Sequence, residues 1–338
     1  MPNTVEHVNK IQTLASNVEK IIRGKTAQIK KILTCLFAGG HVLLEDKPGL
    51  GKTATAKALA FSIHGNEAAE AATGASPHRD GVALFRRIQF TPDLLPLDLL
   101  GTYIFNDATK EFVFHKGPLF ANIILADEIN RASPKVQSAL LECMAEKQIT
   151  IADRTHVFEH LFFIIATQNP VEMEGTYPLP AAQLDRFFMK LEMGYVDGEV
   201  ELEIYNNYRQ INNVTDTIRP VLGTAEVLDI QKGVEEVYLH QEITKAVQRL
   251  AHETRHHPEI RLGASTRAGI TLLRCLRSFA LVHGRDYVVE DDLKQIALPV
   301  LQHRLIFSSS HAAETVLPEL VQNEIDRLTN LSVSFFTR

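Results

Sequence analysis

The segment Lys47-Pro48-Gly49-Leu50-Gly51-Lys52-Thr53 follows a short apolar run, HVLLE, and precedes a helical stretch, TATAKALAFSI. In a glycine-rich loop so placed, backbone N–H groups face phosphate oxygens and the helix N-terminus adds its positive dipole end. Pro48, Gly49, Leu50, Gly51, Lys52, Thr53 and Ala54 are therefore expected to cradle a nucleotide. Lys52 would reach its terminal phosphates, and Thr53 would set its hydroxyl on Mg²⁺. The pattern G-x-x-x-x-G-K-[ST] calls for glycine at position 46, where this chain has Asp46. Aspartate tolerates the left-handed region better than most residues. Its charge beside a polyphosphate is unhelpful, so Asp46→Gly is expected to tighten ATP binding by on the order of 1 kcal/mol.

Further along, Ile123-Ile124-Leu125-Ala126-Asp127-Glu128 delivers two carboxylates at the end of an apolar run. After a phosphate-binding loop, Asp127 suits the residue that organises Mg²⁺, through a water molecule, and Glu128 suits the base that orients an attacking water. Alone, such a pair is equally a solvated strand end. Ala166-Thr167-Gln168-Asn169-Pro170 ends another apolar run in an amide, and Asn169 can contact a γ-phosphate or position water. By itself Asn-Pro is a turn signal. Arg186, in QLDRFF, and Arg267, in GASTRAG, can neutralise charge on a phosphoryl group in transit, although exposed arginines more often only solubilise.

These residues need a scaffold that brings loop ends together. Residues 5–37 read as helical, interrupted at Arg23-Gly24, with Ile11, Leu14, Val18, Ile21 and Ile22 at helical spacing. HVLLE (41–45), FRRIQF (85–90), ANIILAD (121–127), HLFFIIATQ (160–168) and FFMKLEM (187–193) read as buried strands separated by helices, which implies a parallel, doubly wound sheet. Residues 65–82, rich in Ala, Gly, Ser and His, read as a surface loop. Beyond Gly194 the pattern is helical without strand alternation, with Ser265 as an N-cap and Gly284 as a C-terminal glycine. The expected fold class is α/β: a P-loop sheet sandwiched by helices over 1–195, followed by a smaller all-helical lid over 196–338.

The chain has 338 residues, 45% of them hydrophobic, with a formal net charge of −6. This length accommodates about two domains, and the acidic balance gives no electrostatic footprint for nucleic acid or an anionic membrane. Cys35, Cys143 and Cys275 form no CxxC pair, so buried free thiols are expected rather than a zinc site. No run approaches ~18 apolar residues, so a cytoplasmic location without a membrane span is expected.

The stretch from FRRIQFTPDLLPLDLLGTY through FVFHKGPLFANIILADEINRASPKVQSALLECMAEKQ to FFIIATQNPVEMEGTYPLPAAQLDRFFMKL resembles the MoxR AAA+ ATPases block for block. GASTRAG and the later LPVLQHR resemble that family too, and the likeness covers roughly residues 20–305. It implies Walker A roles for Lys52 and Thr53 and Walker B roles for Asp127 and Glu128. It implies sensor 1 for Asn169, an arginine finger acting on a neighbour's nucleotide for Arg186, and sensor 2 for Arg267. Ile22-Arg23-Gly24 would lie where such proteins approach adenine. Residues 91–117 would be an insertion and 148–161 a hairpin, both facing a ring pore or a partner. The resemblance further implies ATP and Mg²⁺ as cofactors and a homo-oligomer, with a hexameric ring expected. It also implies a protein client undergoing maturation or metal insertion, with a von Willebrand A-type partner. A nucleic-acid-linked AAA+ motor and a nucleotide-gated scaffold with weak hydrolysis are the alternatives; a metabolite kinase fits least.

Overall fold

The computed structural model describes residues 2–65, 83–151, 154–170, 175–208 and 217–336. Most of the 65–82 segment and the tip of the 148–161 hairpin lie outside the described residues. Two helices open the chain, α1 (Pro2–Glu19) and α2 (Thr26–Phe37), broken where Gly24 takes φ +69°. Strand β1 (Val42–Glu45), helix α3 (Lys52–Phe61) and short β2 (Ile63–His64) follow. Next come β3 (Ala83–Gln89), helix α4 (Pro96–Leu100) and a hairpin of β4 (Gly101–Asn106) with β5 (Glu111–Lys116). Then come β6 (Ala121–Asp127), α5 (Pro134–Glu146), a second hairpin of β7 (Gln148–Ile151) with β8 (Arg154–Val157), and β9 (Phe163–Gln168). A one-turn helix α6 (Ala181–Leu184) leads into β10 (Met189–Leu191).

Five of these strands form one parallel sheet in the order β10-β1-β9-β6-β3. Its inner strands β6 and β9 are buried at every residue. That is why they read as continuous apolar runs rather than alternating ones. Alternation survives as a choice of face. Leu44, Ile123, Leu125, Phe163 and Ile165 pack with α1, α2 and α3. Leu43, Ile124, Ala126, Ile164 and Ala166 pack on the other side with α5 and the hairpins. The two hairpins lie against each other, with the Phe114 and His156 rings stacked at 4.5 Å and the Arg154 guanidinium 5.6 Å from the Tyr103 ring.

The later chain comprises α7 (Gly198–Asn206), β11 (Leu222–Gly223), α8 (Thr224–Gly233), α9 (Gln241–His256), β12 (Ile260–Leu262), α10 (Thr266–Val282), α11 (Glu290–Leu301), β13 (Ile306–Phe307) and α12 (Ser310–Phe336). The sequence pattern shows no strands here, yet β12 pairs with β13 and β11 with β2. Two or three residues are too few to display a period of two. Ser265 caps α10 by accepting from the Ala268 N–H at 3.1 Å, and Gly284 takes φ +80°. The three cysteines are free and buried. Among the described residues no helix is long and apolar enough to cross a membrane.

Candidate functional site

Because the five strands run parallel, the segments after β1, β6, β9 and β10 all emerge on one edge of the sheet. Ligands of open α/β sheets bind outside these carboxyl ends. There Pro48, Gly49, Gly51, Lys52, Thr53 and Ala54 meet Asp127, Glu128, Thr167 and Asn169 around a cleft of about 290 Å³. Gly49 and Gly51 take φ of +86° and +85°, and a Cβ on either would meet nothing within 4 Å. These glycines serve the loop's left-handed backbone, not its packing.

Lys52 donates to the Asp46 carbonyl at 2.5 Å. Partial burial lowers its pKa, while the carboxylates of Asp46, Asp127 and Glu128 pull it back up. The Asp46 side chain is already engaged. Its Oδ1 accepts from the Lys47 N–H at 2.8 Å, and its Oδ2 accepts from the Gly194 N–H at 2.7 Å, beyond the end of β10. Lys25 grips the same segment from the α1–α2 turn, donating to the carbonyls of Met193, Gly194 and Tyr195 at 2.6–2.8 Å. Asp46 is thus a tie between the phosphate loop and residues 193–195. The expectation that its charge acts mainly on a phosphate does not match this geometry.

The acid pair is knitted to its neighbours. Thr167 donates to Asp127 Oδ1 at 2.6 Å and accepts from the Glu128 N–H at 2.9 Å. Arg87 donates to Asp127 Oδ2 through Nε at 3.1 Å and Nη2 at 2.7 Å. Glu128 sits at φ +57°, an unfavourable region for a side chain of its size, and its Oε2 accepts from Gln89 at 2.8 Å and Arg131 at 2.9 Å. Sequence reasoning missed Arg87, Gln89 and Thr167. The first two were findable, since they stand two apart on one face of β3 and the register sets Gln89 beside Asp127. Asn169 is buried and reaches the cleft.

Other anticipated residues stand outside the cleft lining. Leu50 packs toward the core. Gly24 lies so close to Val200 that a Cβ would sit 2.9 Å from its Cγ1, while the Arg23 Nε is 3.8 Å from Glu203. Arg186 occupies the turn between α6 and β10, with Nη1 3.3 Å from the Leu141 carbonyl. Arg267 is exposed in the first turn of α10. Among the described residues no group of three or more His, Cys, Asp or Glu side chains is placed to cage a metal ion. Thr53 and Asp127 do line the same cleft, a hydroxyl and a carboxylate of the kind that holds Mg²⁺ together with phosphate oxygens.

Residues 79–189 match the model of the ATPase family associated with various cellular activities (AAA), and residues 252–325 match an AAA lid domain. The uncharacterized protein YeaC of Bacillus subtilis is 41% identical over 95% of this chain and 91% of its own. Chaperone MoxR1 of Mycobacterium tuberculosis is 37% identical over 94% of this chain and 81% of its own. A solved structure of a candidate ATPase from Cytophaga hutchinsonii superposes with a TM-score of 0.81 at 39% identity, covering 96% of this chain and 95% of that one.

Proposed function

The chain belongs to the MoxR family of AAA+ ATPases, and on that premise we propose that it binds ATP with Mg²⁺ and couples hydrolysis to chaperone-like remodelling of a protein partner. The observation that carries this reading is the single cleft in which the loop of Gly49, Gly51, Lys52 and Thr53 faces Asp127, Glu128 and Asn169. Loop N–H groups and Lys52 hold the phosphates, and the cleft's modest volume suits a polyphosphate with the base lying outside it, toward Arg23 and Gly24. Thr53 and Asp127 would hold Mg²⁺, Asp127 through water; the ion supplies charge neutralisation for the transferred phosphoryl group. Glu128 orients the attacking water and Asn169 reads the γ-phosphate.

The two arginines complete the site by different routes. Arg267 acts within its own chain, from the lid. Arg186 acts on the nucleotide of the next subunit in a homo-oligomeric ring, here read as a hexamer. The AAA domain over 1–195 and the lid over 196–338 are the units that move against each other. A client undergoing maturation or metal insertion, with a von Willebrand A-type partner, and a cytoplasmic setting belong to this reading; the chaperone name of the Mycobacterium relative supports its remodelling part.

Glu128→Gln tests it. The amide keeps size and hydrogen bonding but cannot orient water as a base. We expect retained ATP affinity, turnover lowered by about 10²–10⁴-fold, the span of general acid–base effects, and a trapped oligomer in size-exclusion chromatography. Turnover at the wild-type rate would remove Glu128 from the chemistry.

A further inference from the structure

The sequence motif LPVLQHR has no part in the nucleotide cleft, yet it ends in the most heavily engaged arginine near the sheet. After α11 the chain makes a tight turn over Gln302–Arg304, which carries Arg304 beneath the sheet's β10 edge. Arg304 is only 5% exposed. Its Nε donates to Asp185 Oδ1 at 2.7 Å, and its Nη2 donates to the carbonyls of Phe187 at 2.6 Å and Asp185 at 3.2 Å. Its Nη1 donates to the carbonyls of Phe188, at 3.2 Å, and Val300. His303 Nε2 lies 3.1 Å from the Phe187 carbonyl.

Every main-chain contact that Arg304 makes across to the sheet falls on residues 185, 187 and 188. These flank Arg186 on both sides, and Arg186 itself is left to point elsewhere. A planar guanidinium can engage several acceptors in fixed directions, which a lysine ammonium cannot reproduce. A second lid residue grips the same turn, since the Arg274 guanidinium lies 5.5 Å from the Phe188 ring. Arg274 stands seven residues after Arg267 on α10, two turns along the same helical face, roughly 10 Å away. One rigid helix thus runs from the first-turn Arg267 to the turn that holds Arg186.

We propose that Arg304 is a positioning residue for hydrolysis at the neighbouring subunit: its buried guanidinium clamps the turn on both sides of Arg186, so the lid that carries Arg267 sets how Arg186 is offered to the next nucleotide. This rests on the reading of Arg186 as a finger acting in trans. A lid shifted by the nucleotide in its own subunit therefore moves the residues that frame the finger, and the clamp converts occupancy of one site into competence of the next.

The test uses the full-length oligomer with Arg304→Lys and the isosteric Asp185→Asn, which carries the test if the lysine variant does not fold. Both should bind ATP with wild-type affinity in calorimetry. Turnover should fall about 10²-fold for Arg304→Lys, the effect of an ångström-scale misplacement of a catalytic group. Asp185→Asn, which retains an acceptor but loses its charge, should fall about tenfold. Mixing either with Glu128→Gln subunits, in oligomers verified with two tags, should restore part of the turnover, because the Glu128→Gln chain lends a properly held Arg186. The double variant Arg186→Ala/Arg304→Lys should be no slower than Arg186→Ala alone. A purely structural role for Arg304 would give no rescue on mixing and losses that multiply in the double variant, and either result overturns the proposal. The Arg186→Ala and Glu128→Gln mixture is the control: no rescue there overturns the trans reading itself. Rescue there without rescue of Arg304→Lys or Asp185→Asn overturns only the clamp.

Discussion

Lys52 reaches back to the Asp46 carbonyl, the position from which a phosphate oxygen would draw it. Lys52→Ala removes the cation at the first residue of α3, so ATP binding should disappear in calorimetry while the thermal melt stays close to wild type; retained affinity would remove the loop from nucleotide binding. Asp46 carries the opposite lesson. From the loop pattern alone its charge looks adverse, and its removal should help. In the structure its two oxygens hold the Lys47 and Gly194 amides, charge-assisted bonds that glycine cannot make. Asp46→Gly should therefore weaken ATP binding, by about tenfold, or about 1.4 kcal/mol, because the loop loses its anchor on residues 193–195. Tighter binding in calorimetry would show that charge repulsion outweighs the tie. The partner amide lies far along the chain from Asp46, and no local pattern announces such a bond. Arg87, by contrast, was legible in principle, because its period-two spacing from Gln89 places both on the face of β3 that meets the acid pair.

Among elements, the inner strands were the most readable, since complete burial on both faces leaves mostly apolar side chains, with Asp127, Thr167 and Gln168 at the site-facing ends, and the runs for β6 and β9 stand out by composition. The strand inside FFMKLEM is shorter than its apolar run, because Phe187 closes the preceding turn on the Leu184 carbonyl and the Phe188 N–H donates to the His41 carbonyl, one residue ahead of β1. Phe188 lies across the backbone of Gly40, where a Cβ would come within 2.1 Å of its ring. Gly40→Ala must therefore push the ring out, at about 1–3 kcal/mol for overpacking a filled site. A urea titration should show a lower midpoint with an unchanged slope. An unchanged midpoint would mean that the ring shifts freely, and then Phe188 could not brace the Arg186 turn. The small strand pairs β2–β11 and β12–β13 were not legible because their pairing is set by tertiary contact, not by propensity.

At the scale of the molecule, what the sequence does not spell out is how the lid docks on the sheet, and two buried histidines mark where the tertiary structure is fixed. His41 accepts from the Ile164 N–H at 3.1 Å and lies 3.3 Å from the Met144 carbonyl, joining β9 to the end of α5. His303 joins the lid turn to Phe187. Burial pushes both imidazoles down to about 3, and it lowers His160 and His283 in the same direction. In the unfolded chain these groups take up protons near pH 6.5. The folded chain binds fewer protons than the unfolded one between that value and about 3, so stability is lost as pH falls through this window. Each fully shifted histidine contributes a slope of up to about 1.4 kcal/mol per pH unit. Carboxylates held low, such as Glu226 and Glu242, act in the same direction only at more acid pH. Denaturant unfolding at pH 7.5, 6.5 and 5.5 should therefore show a free energy that falls with pH across this range. His303→Gln should flatten that fall by about one proton's worth and leave the His41 contribution in place. A profile level down to pH 5.5 would mean that both imidazoles accept protons within the folded chain. The contacts from the lid to the Arg186 turn would then not be closed to water as their geometry implies.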